Sequence, residues 1–385
     1  MSQKYSLKDL ILYFLKLGYA GFGGPVALVG YMYRDLVEKR QWISEEEYKN
    51  GLALAQLAPG PLAAQLGIYL GFVHYGVLGA TLVGGAFVFP SFLMVVLLGM
   101  AYQRFGGLPW MQAVFYGVGA AVIGIIAVSS YKLTQKSIGK FSLQSLKTNW
   151  LLWSFFVVAC AVTSITKEEN AGLFVMAGLV YMLVKAPPTS LSKTTNSVLL
   201  LQAGFWEYDA SLLWKIALFF GEAGAFVFGS GLAIVPFLHA GVVQQYGWLT
   251  EQQFVDAVAV AMITPGPVVI TVGFIGYLIN GFWGATVAAL ATFLPCYLLT
   301  VLPAPYFQKI AQNKSIKAFV DGITAAVVGA LVGAVCVIGF RSVVDIPTAL
   351  LALASAFVLI YSKKIKEPHI ILIAAFIGIL VKMYV

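Results

Sequence analysis

The sequence predicts an all-α polytopic membrane protein built from two inverted-topology repeats, with roughly ten transmembrane helices at ~20 residues each and broken or re-entrant helices among them. Three observations carry this reading. The first is composition: the 385 residues are 60% hydrophobic and only 10% charged. A soluble domain carries about 25% charged residues, so a water-facing surface cannot be assembled here. Disorder needs low hydrophobicity and high charge, and is excluded with it. The second is an internal repeat, and the third is the placement of the scarce loop charges.

The repeat is read from Gly, Pro and Trp. Pro59-Gly60-Pro61 recurs as Pro265-Gly266-Pro267, an offset of 206 (265 minus 59). The same offset relates Gly18 to Gly224, Phe22-Gly23 to Phe228-Gly229, Trp42 to Trp248, Glu45 to Glu251 and Gly67 to Gly273. After a one-residue deletion, Gly79-Ala80-Thr81 meets Gly284-Ala285-Thr286, and Pro90 meets Pro295. The chain therefore divides into a first repeat over 1–190, a linker over 191–209 and a second repeat over 210–385, with the polar stretch 187–197 leading into the linker.

Each repeat opens with a span broken by Phe-Gly. The N-terminal segment has no small-residue cleavage site after its apolar run and belongs to the first span. A short loop follows, holding Trp42-Ile43-Ser44-Glu45 or Trp248-Leu249-Thr250-Glu251. Ser44 with Glu47, and Thr250 with Gln253, fit the capping box that starts a helix. The next segments, 51–74 and 257–279, cannot be uninterrupted helices, because each proline removes a backbone donor and crowds the preceding turn. Four apolar runs complete each repeat, over 77–103, 110–131, 150–166 and 170–185, then over 282–303, 314–340, 347–362 and 368–384. Small-residue strings at Gly76–Thr81 and Gly281–Thr286 suit close helix contacts.

Loop cations then set orientation. Arg34, Lys39, Arg40 and Lys49 face a repeat-equivalent loop without Lys or Arg, whereas Arg104 faces Lys309, Lys314 and Lys317. Lys132, Lys136, Lys140 and Lys147 oppose Arg341, and Lys167 opposes Lys363, Lys364 and Lys366. Alternation in antiphase is what the positive-inside rule gives for two repeats of opposite orientation. Five crossings per repeat put the N-terminus outside. A first segment folding back at Gly23-Gly24-Pro25 puts it inside and changes the count.

Inverted repeats point to a secondary transporter. The breaks at Gly23-Gly24-Pro25, Gly229-Ser230-Gly231 and the two Pro-Gly-Pro motifs would each expose helix-start N–H groups and a positive dipole end, an anion site needing no buried cation. Gln56, Gln65, Thr264 and Thr271 flank the Pro-Gly-Pro motifs as hydrogen-bond donors or as packing contacts. Lys16 and Glu222, equivalent positions on the two first spans, are candidates for ion coupling, with snorkelling or a mutual ion pair as the alternative. His74 and His239 read as interfacial. Cys160, Cys296 and Cys336 sit singly in apolar runs, as buried small hydrophobes. No nucleotide loop, HExxH or nucleophile set is present in the sequence, so neither an enzyme nor a cofactor is expected, and scattered cations give no nucleic-acid face.

Phe22-Gly23-Gly24-Pro25, the Trp42 loop, Ala58-Pro59-Gly60-Pro61 with Gln65, Gly67 and Gly71, and Phe89-Pro90-Ser91 together resemble the chromate ion transporter family. Phe228–Gly231, Thr264–Pro267 and Leu294-Pro295-Cys296 echo the pattern, as in the long members that fuse two such repeats. The resemblance implies export of chromate, with sulfate as a similar tetrahedral dianion, from the cytoplasm across a prokaryotic inner membrane, driven by the proton motive force. It places the site on Gly23, Gly24, Pro25, Pro59, Gly60, Pro61, Gly229, Gly231, Pro265, Gly266 and Pro267, to which the reading of the residues around the breaks adds Gln65, Ser230 and Thr264. The replacement of Gly24-Pro25 by Ser230-Gly231 makes the two halves unequal. Expected partners are the oxyanion, protons, the lipid bilayer and, as an open alternative, a second copy in a homodimer. The rival readings are a transporter of sulfate or another anion, and an anion channel of the same fold.

Overall fold

The computed structural model describes residues 5–22, 24–166, 171–188, 211–227, 231–306, 313–343, 345–362, 365 and 367–384. Among them all regular structure is helical. Four helices, Leu62–Phe105, Pro109–Ser137, Val268–Tyr306 and Lys314–Phe340, are long and apolar enough to cross a membrane, and shorter apolar helices accompany them. The expected linker lies outside the described residues.

The first repeat begins with α1 (Leu7–Ala20), capped by Ser6 and ended at Gly21. Helix α2 (Gly24–Met32) continues beyond the Phe-Gly break and widens into a π-turn, Tyr33–Lys39. Helix α3 (Glu45–Leu57) starts from the expected Ser44–Glu47 capping box and stops where Ala58-Pro59 turns extended. Helix α4 (Leu62–Phe105) leaves helical geometry at Tyr75-Gly76, so a short arm precedes a long one. Gly76 sits at φ +63°, a value that favours glycine at this reversal. The first repeat closes with α5 (Pro109–Ser137), the single-turn α6 (Leu143–Thr148), α7 (Trp150–Thr166) and α8 (Ala171–Lys185).

The second repeat answers element for element: α9 (Leu212–Ala225), a short α10 (Val235–His239) after a 3-10 turn, and α11 (Glu251–Ile263) with its Thr250–Gln253 capping box. Helix α12 (Thr271–Val301) follows and reverses at Asn280-Gly281, the counterpart of Tyr75-Gly76. Next come α13 (Lys314–Ser342), α14 (Ile346–Tyr361) and α15 (Glu367–Tyr384). Pro61 and Pro267 stand one residue before the helical turns that follow them, with extended ψ of 110° and 124°.

The two repeats do not pack as separate bodies. Helix α5 lies against α14 and α15 of the other repeat, with Gly117 on the Ala374 carbonyl and Gly124 on that of Ala352. Its equivalent α13 lies against α7 and α8, with Gly329 on the Phe156 carbonyl and Gly322 on that of Ala177. Glycine permits this backbone approach, and close van der Waals contact is what joins helices where water supplies no hydrophobic drive. Helices α5 and α13 run antiparallel to each other. Ile123 faces Gly339, while Leu133, Lys136 and Ser137 near the end of α5 share a cavity wall with Lys317, Val320 and Asp321 near the start of α13.

Candidate functional site: two turns locked across the repeats

The Pro-Gly-Pro turns are tied to the opposite repeat by one hydrogen bond made twice. Gly60 N–H donates to the Val227 carbonyl at 2.6 Å, and Gly266 N–H donates to the Gly21 carbonyl at 3.0 Å. Gly60 and Gly266 are repeat equivalents, and so are Gly21 and Val227. Each turn is therefore held by the Phe-Gly break of the other half, as at a two-fold interface. Both glycines have positive φ, +141° at Gly60 and +97° at Gly266, where a side chain strains the backbone.

Equivalent side chains brace the turns from α4 and α12. Ser91 Oγ donates to the Pro265 carbonyl at 2.8 Å, with the Gly18 carbonyl at 3.3 Å. Its counterpart is Cys296, fully buried, whose Sγ stands 2.8 Å from where a Cβ on Gly60 would lie. Gln65 braces the first turn from within: its Nε2 donates to the Ala58 and Pro59 carbonyls at 3.2 and 2.8 Å. Its Oε1 is buried without a partner. The hydroxyl hydrogens of Thr264 and Thr271 are likewise committed, to the Ala261 and Val268 carbonyls.

A cavity of about 400 Å³ opens beside the second turn. Gly21, Phe22, Pro25, Thr264, Gly266 and Val268 line it, together with Ser129, Lys132 and Lys136 of α5 and Glu367 at the start of α15. Among the described residues, neither lysine has an acidic partner within 4.0 Å. Val268 begins the helical turn after Pro267, so the first N–H groups there lack intrahelical partners. Against the single Glu367 carboxylate the cavity offers two ammonium groups and a positive helix end, a net positive surround that suits an anion.

The expected site residues separate into groups. Pro25, Thr264 and Gly266 line this cavity; Gly24 opens α2, and Gly231 packs against Val268 and Val269. Pro59, Gly60 and Pro61 form the other turn, while Pro265 and Pro267 hold the shape of theirs. Gly23, Gly229 and Ser230 lie outside the described residues. Lys16 and Glu222 are exposed on α1 and α9, and neither lines the cavity beside the second turn. His74 stands 3.9 Å from Glu47, and His239 Nε2 is 2.7 Å from Glu251. Sequence reasoning missed Ser91, Lys132 and Lys136 as site residues. Ser91 was visible in the Phe-Pro-Ser motif, and both lysines had been read as loop charge.

Comparison with known proteins decides what this arrangement belongs to. The family profile described as Chromate transporter matches twice, over residues 8–183 and 214–379. The chain belongs to the chromate transporter family. Within it, the chain is 62% identical to the chromate transport protein of Cupriavidus metallidurans over 97% of this chain and 93% of that one. It is 60% identical to the probable chromate transport protein of Synechococcus elongatus, over 98% and 96%. A transporter of Bacillus subtilis, YwrB, is 28% identical over 46% of this chain and 87% of its own length, close to one repeat. No solved structure matches the chain. As a chromate transporter family member it is a transporter and not an enzyme, and its Pro-Gly-Pro turns fall inside both matched segments.

Proposed function

We propose that this chain exports chromate from the cytoplasm by alternating access, driven by the proton motive force, with its two repeats inverted across a prokaryotic inner membrane. The observation that carries the reading is the cavity where Gly266, Thr264 and Val268 meet Lys132 and Lys136. A tetrahedral dianion there exchanges water for ammonium and backbone N–H donors, and charge-assisted bonds of this kind are the strong ones. The names of the relatives choose chromate among tetrahedral dianions.

Inverted topology is supported by the antiparallel course of α5 and α13, since a two-fold relating antiparallel spans lies in the membrane plane. It is supported again by Lys136 and Lys317, assigned by charge to one side and sharing one cavity wall. Because Lys132 and Lys136, at the cation-rich end of α5, line the cavity, we read the state described as facing the cytoplasm. The glycine N–H groups of both turns are engaged across the repeats, so they hold the turns together and leave the helix-start N–H groups for the ion.

For coupling, Asp256 of α11 is better placed than Glu222. It is 2% exposed and receives hydrogen bonds from Tyr102 Oη at 2.7 Å and Gln252 Nε2 at 2.8 Å. Both donors are neutral, and a deeply buried carboxylate with no cationic partner among its hydrogen-bond donors is a functional candidate.

The test is chromate flux in proteoliposomes against a defined pH gradient. Saturable uphill flux that a protonophore abolishes, and that Lys132→Gln/Lys136→Gln lowers at least tenfold, is expected. Excess sulfate measures how far the site separates the two dianions. Ohmic conductance without uphill flux would favour a channel and refute the proposal.

A further inference from the structure

A second cavity, of about 320 Å³, lies beside the first Pro-Gly-Pro turn. Its walls are Gln56 and Leu57 at the end of α3, Leu62 at the start of α4, Lys136 and Ser137 of α5, and Lys317 and Asp321 of α13. Two lining positions of one cavity are repeat equivalents of two in the other. Gln56 stands where Met262 stands in the first, and Leu62 opens α4 as Val268 opens the turn after Pro267. Leu133 and Lys136 line both, so an ion leaving one cavity meets the other at a shared ammonium group.

We infer that this second cavity is a loading site for the same class of ligand, a tetrahedral oxyanion dianion, occupied before the ion passes Lys136 into the transport cavity. The inference rests on the transport reading above and adds a second ion to it. Five features carry it. Lys136 of α5 and Lys317 of α13 bring two cations to the cavity, and Gln56 and Ser137 bring neutral donors. The start of α4 adds helix-end N–H groups. At ~30 Å³ per water, the volume is that of roughly ten waters, so the ion enters with part of its hydration shell. Asp321, one turn beyond Lys317 on the same helix, offsets part of the lysine charge. With that counter-charge the empty cavity is less strongly positive, and a bound dianion is held loosely enough to move on, as conduction through successive sites requires.

The experiment uses the full chain. Equilibrium binding of radiolabelled sulfate and of chromate to purified protein should give two ions per wild-type chain and one for Lys317→Gln. In inside-out vesicles Lys317→Gln should raise the KM for chromate about fivefold to tenfold and leave the maximal rate within twofold of wild type. Lys314→Gln, on the exposed first turn of α13 and not in the cavity wall, should change neither quantity. Two results overturn the inference: a single ion bound per wild-type chain, or a KM response to Lys314→Gln equal to that of Lys317→Gln, which assigns the effect to surface charge. Loss of wild-type flux altogether would instead overturn the transport reading, so the two failures are distinguishable. Lys317→Arg, which keeps charge, should restore the second ion.

Discussion

Replacing Gly266 by alanine puts a methyl group where Ser91 Oγ already stands, at a backbone φ of +97°. Two costs follow. Holding a side chain in a sparsely populated backbone region costs about 1–3 kcal/mol. Displacing Ser91 breaks its 2.8 Å bond to the Pro265 carbonyl, worth about 1 kcal/mol net. Together they amount to about 2–4 kcal/mol, all of it placed on the turn that bonds to Gly21 and lines the cavity. At 1.36 kcal/mol per decade, that is roughly a 30-fold to 1,000-fold shift against the present turn geometry. The assay pairs initial chromate flux in proteoliposomes with thermal unfolding in detergent. Flux below a tenth of wild type and a melting temperature lower by a few degrees are expected. Gly30→Ala, which meets nothing within 4 Å, is the control and should behave as wild type. Gly266→Ala/Ser91→Gly removes the collision but neither the φ strain nor the loss of the Ser91 bond to Pro265, so it should regain none of this stability. Wild-type flux and melting in Gly266→Ala alone would refute the reasoning.

Gln65→Leu strips the Ala58 and Pro59 carbonyls of their donor and should lower stability by about 1–3 kcal/mol by denaturant titration; an altered chromate KM at unchanged stability would make Gln65 a ligand instead of a brace. Asp256→Asn keeps an acceptor for Tyr102 but cannot carry a proton, so pH-driven uphill flux should fall at least tenfold while chromate exchange at equal pH persists. Equal loss of both would remove Asp256 from coupling. Asp345 caps α14, and the Tyr116 phenol with the Thr348 backbone N–H holds its carboxyl below the usual carboxylate range. Its stabilisation is therefore complete above the unfolded pKa of about 3.9 and is lost as pH falls through the lower folded value. Tyr116→Phe should shift acid unfolding to higher pH, and identical unfolding curves between pH 6 and 2 would contradict that.

Much of the architecture was legible because it is written in local chemistry. Composition requires a membrane, and each Pro-Gly-Pro ends a helix wherever it falls, since proline lacks an N–H and crowds the preceding turn. The helix ends at Leu57 and Ile263, the reversals at Gly76 and Gly281, and the capping boxes at Ser44 and Thr250 all follow from residues within a few positions of the event. The site was legible as a pair of turns but not as a set of ligands. Gln65 looked like a donor for an anion, yet both its N–H groups go to the turn it supports. Lys16 and Glu222 looked like intramembrane charges, yet both are exposed.

By itself, then, the sequence determined a membrane-embedded helical repeat, where its helices break, and which residues are equivalent at offsets of 206 and 205. Tertiary structure alone decided that Gly60 is bonded to Val227 and Gly266 to Gly21, that Ser91 braces Pro265, and that Lys136 stands between two cavities. The reason is physical. A span that is apolar all round has no polar stripe to declare which way it turns, so rotation is set by glycine contacts with helices far along the chain. Those contacts join segments of opposite repeats, and no local pattern can encode a partner some two hundred residues away.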